Sequence, residues 1–186
     1  MKKSILIGSI IIASMTTSLV YCSGSTGSGE SSKWFKLTQP GVAPVTNQLY
    51  KNECASCHFD YQPGLLPSRS WKKIMTGLDD HFGDNAELMP EDYTVILNYL
   101  TENAAEFSDH KRSRRINNSL AKDEAPLRVT DTPYFKRKHR ELSLSRITNN
   151  PEIGSISNCI ACHTQAEKGS FNENEINIPG STGRWE

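Results

Sequence analysis

Cys54-Ala55-Ser56-Cys57-His58 is the stretch from which the whole chain can be interpreted, because it returns as Cys159-Ile160-Ala161-Cys162-His163. In both motifs two cysteines flank two small or apolar residues, and a histidine follows directly. Four of the five cysteines lie in these two motifs, and the fifth is Cys22. The repetition predicts two sites with the same chemistry, one in each half of the chain.

Three chemistries use a Cys-x-x-Cys pair, and the histidine distinguishes among them. A thioredoxin-like redox pair belongs to a βαβ setting, which the sequence does not indicate, and it does not need the histidine. A zinc site would use two such pairs without a histidine beside each. Attachment of c-type haem uses all five positions, because each thiol adds to a haem vinyl group and the histidine ligates the iron. The motifs therefore predict two covalently bound c-type haems, attached through the four cysteines and ligated by His58 and His163.

Composition and charge limit the possible functions. The 186 residues suffice for one ordinary domain or two very small ones, and 36% of them are apolar. Two small units would each need a staple such as a metal or a cofactor. Residues 46–109 hold 4 Lys or Arg and 11 Asp or Glu, whereas residues 110–186 hold 13 and 9. This division argues against a nucleic-acid binder, which has one dominant basic face, and it is compatible with docking to a charged partner.

The N-terminus indicates export. Residues 1–21 are predicted to be a signal peptide, with two lysines before an apolar stretch that is short for a membrane span. Residues 22–44 are predicted to be a lipid-anchor tether and linker, because Cys22 precedes a Gly/Ser-rich segment. The junction resembles a bacterial lipoprotein cleavage box, in which Cys22 is acylated, although Tyr21 departs from the small residue usual there. The expected location is the periplasmic side of a bacterial membrane, with soluble secretion as the alternative.

Residues 45–109 are predicted to form the first haem unit, with three helices whose apolar residues recur at helical spacing. The helices are expected at about 45–57, at about 68–78 and from Pro90 onwards. The loop before the third helix offers two candidates for the second iron ligand, His81 and Met89. We favour His81, because Gly83 permits a close approach, whereas Met89 abuts the helix start and could pack there.

Residues 110–186 are predicted to form the second haem unit. Phe135 and His139 are four residues apart and share one helix face. A helix over about 157–168 is expected to carry the second motif, so that a helical hairpin holds a haem between His139 and His163. His110 is expected to be a surface residue of the linker, with ligation as the alternative. The predicted fold class is mainly α, with two small haem-organised helical units.

These stretches together resemble the family of bacterial dihaem cytochromes c, which combine a class I cytochrome c domain with a small helical C-terminal domain. The resemblance covers roughly residues 50–179, and it includes both motifs, 63–67, 81–86, 132–135, 138–141 and 176–179. It implies two low-spin haems with two histidine ligands each, His81 and His139 as distal ligands, and electron transfer to partner redox proteins. In some members the partner is a monohaem cytochrome that binds oxygen species.

Two histidines per iron favour an electron carrier over an enzyme, because filled axial positions leave no place for peroxide or oxygen. A dihaem peroxidase with one openable haem, a dihaem electron-donor subunit of a periplasmic reductase and a zinc-stabilised interaction module are the alternatives. The expected partners are a redox protein, which could be another cytochrome, and the membrane through the lipid on Cys22. Neither nucleic acid nor a small organic substrate is expected.

Overall fold

The first core is built around the longest helix of the computed structural model, which describes residues 40–181. The signal peptide, Cys22 and most of the predicted tether lie outside the described residues. The α-helices are α1 (Gln48–Cys54), α2 (Ser68–Met75), α3 (Pro90–Glu102), α4 (Lys111–Asn117), α5 (Pro133–Lys138) and α6 (Leu144–Thr148). Of the seven 3₁₀ turns in residues 40–181, four lie between these helices and three follow α6. No strand occurs in these residues, so the prediction of a mainly α fold is confirmed.

Helix α3 begins at Pro90, as predicted, because proline suits the first helical position and two acidic residues follow in the first turn. Ile96 and Leu100 are buried on its inner face, where each stabilises the fold by roughly 1.5–3 kcal/mol. They pack against α2, whose Trp71 donates from Nε1 to the carbonyl of Pro63 at 2.8 Å. The first core therefore ties the loop after the first motif to α2 and α3.

The first two predicted helices are shorter than expected. Helix α1 occupies seven residues, and its last residue is Cys54, so most of the first motif lies beyond the helix. Helix α2 ends at Met75, and after Gly77 the chain forms a 3₁₀ turn over Leu78–Asp80. This turn leads directly to His81.

The predicted helix over 157–168 is wrong. The second motif instead begins in a 3₁₀ turn, Cys159–Ala161, and a second turn follows at Ala166–Lys168. The carbonyl of Cys162 accepts a hydrogen bond from the backbone N–H of Asn177 at 2.9 Å. His163 and Ile176 form an isolated antiparallel β-bridge. The expected hairpin of two helices is therefore not formed. One short helix, α5, lies opposite the irregular segment that carries the second motif.

A second core connects the two sides of the predicted boundary between residues 109 and 110. Its buried members come from both sides: Val42, Phe59, Leu65, Ile116, Tyr134, Ala166 and Phe171. Val42 belongs to the predicted linker, and its backbone N–H donates to the carbonyl of Gly169 at 3.1 Å. The described residues, 40–181, fall within one compact unit. The domain boundary stays a prediction, but the flanking residues share this core.

Candidate metal centres

The first motif is placed at the C-terminal end of α1, with Cys54 half-buried and Cys57 exposed. The two thiols form no disulfide. His58 directs Nδ1 to the carbonyl of Phe59 at 2.7 Å. A carbonyl can only accept, so Nδ1 is the donor, and in the neutral imidazole Nε2 then has the lone pair that a metal needs.

The structure brings His81 to His58. Their ring centres are 6.1 Å apart and their planes differ by 27°. Two metal–nitrogen bonds of about 2 Å each, together with the ring radii, account for about 6 Å. The separation therefore fits one iron between two imidazoles.

A strained turn presents His81. Phe82 and Gly83 both have positive φ, at 62° and 105°, and the backbone of His81 donates to the carbonyl of Asp84 at 2.7 Å. Positive φ is costly for phenylalanine, and such outliers gather at functional sites. Met89, the other candidate, occupies the N-cap of α3 with 62% of its surface exposed. The turn thus directs His81 to the first motif and leaves Met89 at the helix start.

The second site pairs His163 with His139, again with ring centres 6.1 Å apart, but with planes at 79°. His139 is the C-cap residue of α5, and its Nδ1 lies 3.0 Å from the carbonyl of Phe135. Its ring also stacks on the Phe135 ring at 3.8 Å, as expected for residues four apart. The stacking and the hydrogen bond leave Nε2 of His139 available for iron.

His110 takes no part in either ring pair. It precedes α4 and is half-buried, and its Nδ1 lies 2.8 Å from the carbonyl of Pro40. His110 therefore links Pro40 to the start of α4. This half-buried position differs from the exposed linker position that the sequence suggested.

Burial favours the neutral form of His81, His139 and His163, and neutral imidazole is the form that binds a metal. Burial is the main cause that lowers the pKa of His81 and of His139, and it lowers the pKa of His163 to about 4. It also raises the pKa of the Cys54 thiol to about 11 and that of Cys159 to about 12. Within residues 40–181, no three His, Cys, Asp or Glu side chains converge as ligands of one metal ion.

A cavity of about 1120 Å³ adjoins the first site. Such a volume exceeds the roughly 300–1,000 Å³ typical of small-molecule pockets. Its wall includes Cys54, His58 and His81, and also residues from the start of the second motif, such as Ile160. Two thiols, two facing imidazoles and a large apolar wall are the donor set and the space that a covalently attached haem requires.

The sequence did not single out four further residues at these sites: Tyr61, Gln62, Arg112 and Arg128. The Arg128 guanidinium lies 3.7 Å from the ring centre of Phe82, next to His81. Arg112 donates to the Tyr134 hydroxyl at 2.9 Å and to the Phe171 carbonyl at 2.8 Å, beside the second ring pair. Because these contacts join distant parts of the chain, only the position of Tyr61 and Gln62 just after the first motif could have pointed to any of them.

Comparison with known proteins places the chain in a family. The family model described as dihaem cytochrome c matches residues 50–171. The diheme cytochrome c from Rhodobacter sphaeroides is 41% identical with a TM-score of 0.62, and the match covers 70% of this chain and all of that one. The diheme cytochrome type c from Shewanella baltica OS155 is 38% identical with a TM-score of 0.60, covering 75% and 98%.

A comparison with curated proteins gave no match. The family match spans more than half of the chain, and it contains both motifs and all four paired histidines. The chain therefore belongs to the dihaem cytochrome c family and carries two covalently attached c-type haems.

Proposed function

We propose that this chain is an exported cytochrome that transfers electrons between redox partners through two bis-histidine haems. The family supports a haem electron-carrier role. The observation that carries the finer assignment is the pair of equal 6.1 Å ring separations, each of which fits one iron between two imidazoles. His58 and His81 would ligate the first iron, and His163 and His139 the second.

Each haem supplies a reversible one-electron change at its iron. The chain's own residues hold the centre and shield it. The thioether positions are Cys54 and Cys57 at the first site and Cys159 and Cys162 at the second. Met ligation raises a haem's potential, so two histidines leave both haems lower than a Met/His cytochrome c. Filled axial positions also favour a carrier over the dihaem peroxidase alternative.

The test is the spectrum of the purified holoprotein. Intact mass should show two haem additions, and Cys54→Ala with Cys57→Ala should remove one of them. The oxidised and reduced proteins should both be low-spin, and the reduced protein should refuse carbon monoxide. A wild-type protein that binds carbon monoxide at one iron would instead favour the peroxidase alternative.

Location is the second part of the proposal. Cytochromes c are typically exported, which agrees with the signal peptide predicted for residues 1–21. None of the helices in residues 40–181 is long and apolar enough to span a membrane. A multiply acylated Cys22 would hold the protein at the membrane, since one acyl chain gives only marginal binding. Cys22→Ser should then move the protein from the membrane to the soluble periplasmic fraction, and a wild type already soluble contradicts the anchor.

The partner is best described by charge. Helices α4 and α5 enclose a cleft of about 470 Å³ that is lined by Arg115, Asn118, Ser119, Tyr134, Arg137 and Lys138. Three of these are cations and none is acidic, although Lys138 also pairs with Glu173 at 2.8 Å. Since α5 ends at the residue before His139, a redox protein with an acidic face would dock beside the second iron.

Charge reversal tests this docking site. Arg115→Glu with Arg137→Glu should slow electron exchange with a carboxylate-terminated electrode, and should weaken the dependence of that exchange rate on salt. The matched control is Lys72→Glu with Lys73→Glu, the same change in charge on exposed positions of α2. Equal losses in the two variants would mean that only net charge matters and that the cleft has no special role.

A further inference from the structure

Tyr61 links the two sites. Its hydroxyl donates to the carbonyl of Ser157 at 2.7 Å, across 96 positions of the sequence, and Ser157 lies two residues before Cys159. Its ring lies 5.4 Å, centre to centre, from the ring of His58. One side chain thus contacts the proximal histidine of the first site and the segment that begins the second motif.

Gln62 holds the other side of the second motif. Its side chain is fully buried, and Nε2 donates to the carbonyl of Ala166 at 2.6 Å. Ala166 lies three residues after His163. The two hydrogen bonds, from adjacent residues directly after the first motif, therefore bracket the second motif before and after.

The segment that makes these bonds is itself fixed. The carbonyl of Tyr61 accepts from the hydroxyl of Tyr50 at 2.7 Å, and Tyr50 is buried in the first core. Tyr61 also packs against the second core, together with Cys159. Because both cores hold it, Tyr61 has little freedom to move independently of either motif.

The cavity of the first site shows how close the second motif comes. Its wall includes Asn158 and Ile160, which flank Cys159 in the sequence. Ile160 is one of the two residues enclosed by the cysteines of the second motif. A haem attached at the first site would therefore lie against the attachment loop of the second.

We propose that Tyr61 and Gln62 are positioning residues that fix the second motif against the first, so that the two haems exchange electrons directly. The proposal rests on the function proposed above. In the exchange, an electron leaves one ferrous iron, which becomes ferric, and reduces the ferric iron of the other site. No proton, leaving group or further reactant is needed. Tyr61 acts only by holding the separation, and it is neither oxidised nor reduced.

The experiment removes the hydrogen bond while keeping the ring, and then removes the ring. NMR of partly oxidised holoprotein measures the intramolecular exchange rate from the haem methyl resonances. Tyr61→Phe should slow exchange several-fold, and Tyr61→Leu should slow it further. The magnetic interaction between the two ferric irons, measured by EPR, should weaken in the same order. Tyr93→Phe is the matched control, because it removes a hydroxyl from a tyrosine that packs on the first core alone.

The outcomes separate the two proposals. If Tyr61→Leu keeps two low-spin haems and exchanges electrons at the wild-type rate, the positioning role is wrong while the proposed function stands. A drop in melting temperature without any change in exchange or EPR would equally reduce Tyr61 to a structural residue. If Tyr61→Leu fails to take up both haems, the exchange rate of Tyr61→Phe decides: a slowed rate supports the positioning role, and a wild-type rate contradicts it. A wild type with a single haem, or with one high-spin iron, would overturn the proposed function itself.

Discussion

The two haem sites share a motif but are built by different backbones. The first motif begins at the last residue of an α-helix, and its facing histidine comes from a strained turn at Phe82 and Gly83. The second motif begins in a 3₁₀ turn, and its facing histidine comes from the end of a helix. Both nevertheless place two imidazole rings 6.1 Å apart. The motif therefore determines the chemistry of a site, whereas the surrounding chain determines its local backbone conformation.

The sites also differ in which histidine is anchored. At the first site the motif's own His58 has its Nδ1 bonded to a carbonyl. At the second site the facing His139 is bonded in this way, whereas the buried Nδ1 of His163 has no hydrogen-bond partner among the described residues. Such a bond orients the ring and raises the basicity of the ligating nitrogen. The hydrogen-bonded imidazole is therefore the motif's own histidine at the first site and the facing histidine at the second.

The largest effect is expected from His139→Ala, which removes the proposed facing ligand of the second iron and leaves His58 and His81 unchanged. The second iron should become high-spin and bind carbon monoxide after reduction, while the first stays low-spin. Absorption and EPR spectra of the holoprotein measure both changes. Because Phe135 loses its stacking partner, a lower melting temperature is also expected.

His110→Ala is the matched control for that prediction. His110 is half-buried and bonded to the carbonyl of Pro40, so its loss should cost some stability but leave both irons low-spin. If His110→Ala gives a high-spin iron while His139→Ala stays low-spin, the second ligand comes from the junction between the halves. The basic end of α5 would then serve docking alone.

Local patterns in the sequence predicted much of these sites. Pro90, followed by two acidic residues, predicted the start of α3. The four-residue spacing predicted that Phe135 and His139 share one helix face, where their rings stack. These signals act within one or two helical turns, where the sequence determines the geometry directly. The mainly α fold class follows from the same signals.

Long-range pairing could not be predicted in this way. The helix expected over 157–168 did not form, since the carbonyl of Cys162 is paired with the N–H of Asn177. Tyr61 and Gln62 donate hydrogen bonds to residues that are 96 and 104 positions away in the sequence. Hydrophobic periodicity does not predict contacts between residues so far apart. Tertiary contacts therefore decided the second motif's backbone and its link to the first.

An intermediate effect is expected from His81→Met, which changes the proposed ligand set of the first iron only. Methionine ligation should raise the potential of one haem and leave the other nearly unchanged, because the second ring pair is not altered. A redox titration followed by absorption should show one of two steps moving upward. The ferric protein should also gain the long-wavelength band of sulfur ligation.

Met89→Leu is the control for this change. Met89 is exposed at the N-cap of α3, so removing its sulfur should leave both potentials and both spectra as they are. Loss of a methionine band from wild type on Met89→Leu would contradict the assignment of His81 and restore Met89 as the ligand.

The smallest effect is expected from Arg112→Gln at the second site. The positive charge of Arg112 contributes to lowering the pKa of His139 and of His163, after burial, and burial is the larger cause for both. The same charge disfavours ferric iron, which is one unit more positive than ferrous iron, and so it should raise the potential of the second haem. Removing it should lower that potential, by an amount on the order of tens of millivolts for a partly solvated charge.

Arg112→Lys separates charge from geometry, because it keeps the cation and loses the two-sided contact with Tyr134 and the Phe171 carbonyl. If charge controls the potential, Arg112→Lys should leave the potential of the second haem close to its wild-type value. Both variants should lose stability. If Arg112→Gln and Arg112→Lys shift the potential of the second haem equally, Arg112 acts by holding α4 against the residues around His163. The two sites would then differ in packing and not in charge. The matching change at the first site, Arg128→Gln, should lower only the first potential, because Arg128 lies over Phe82 beside His81.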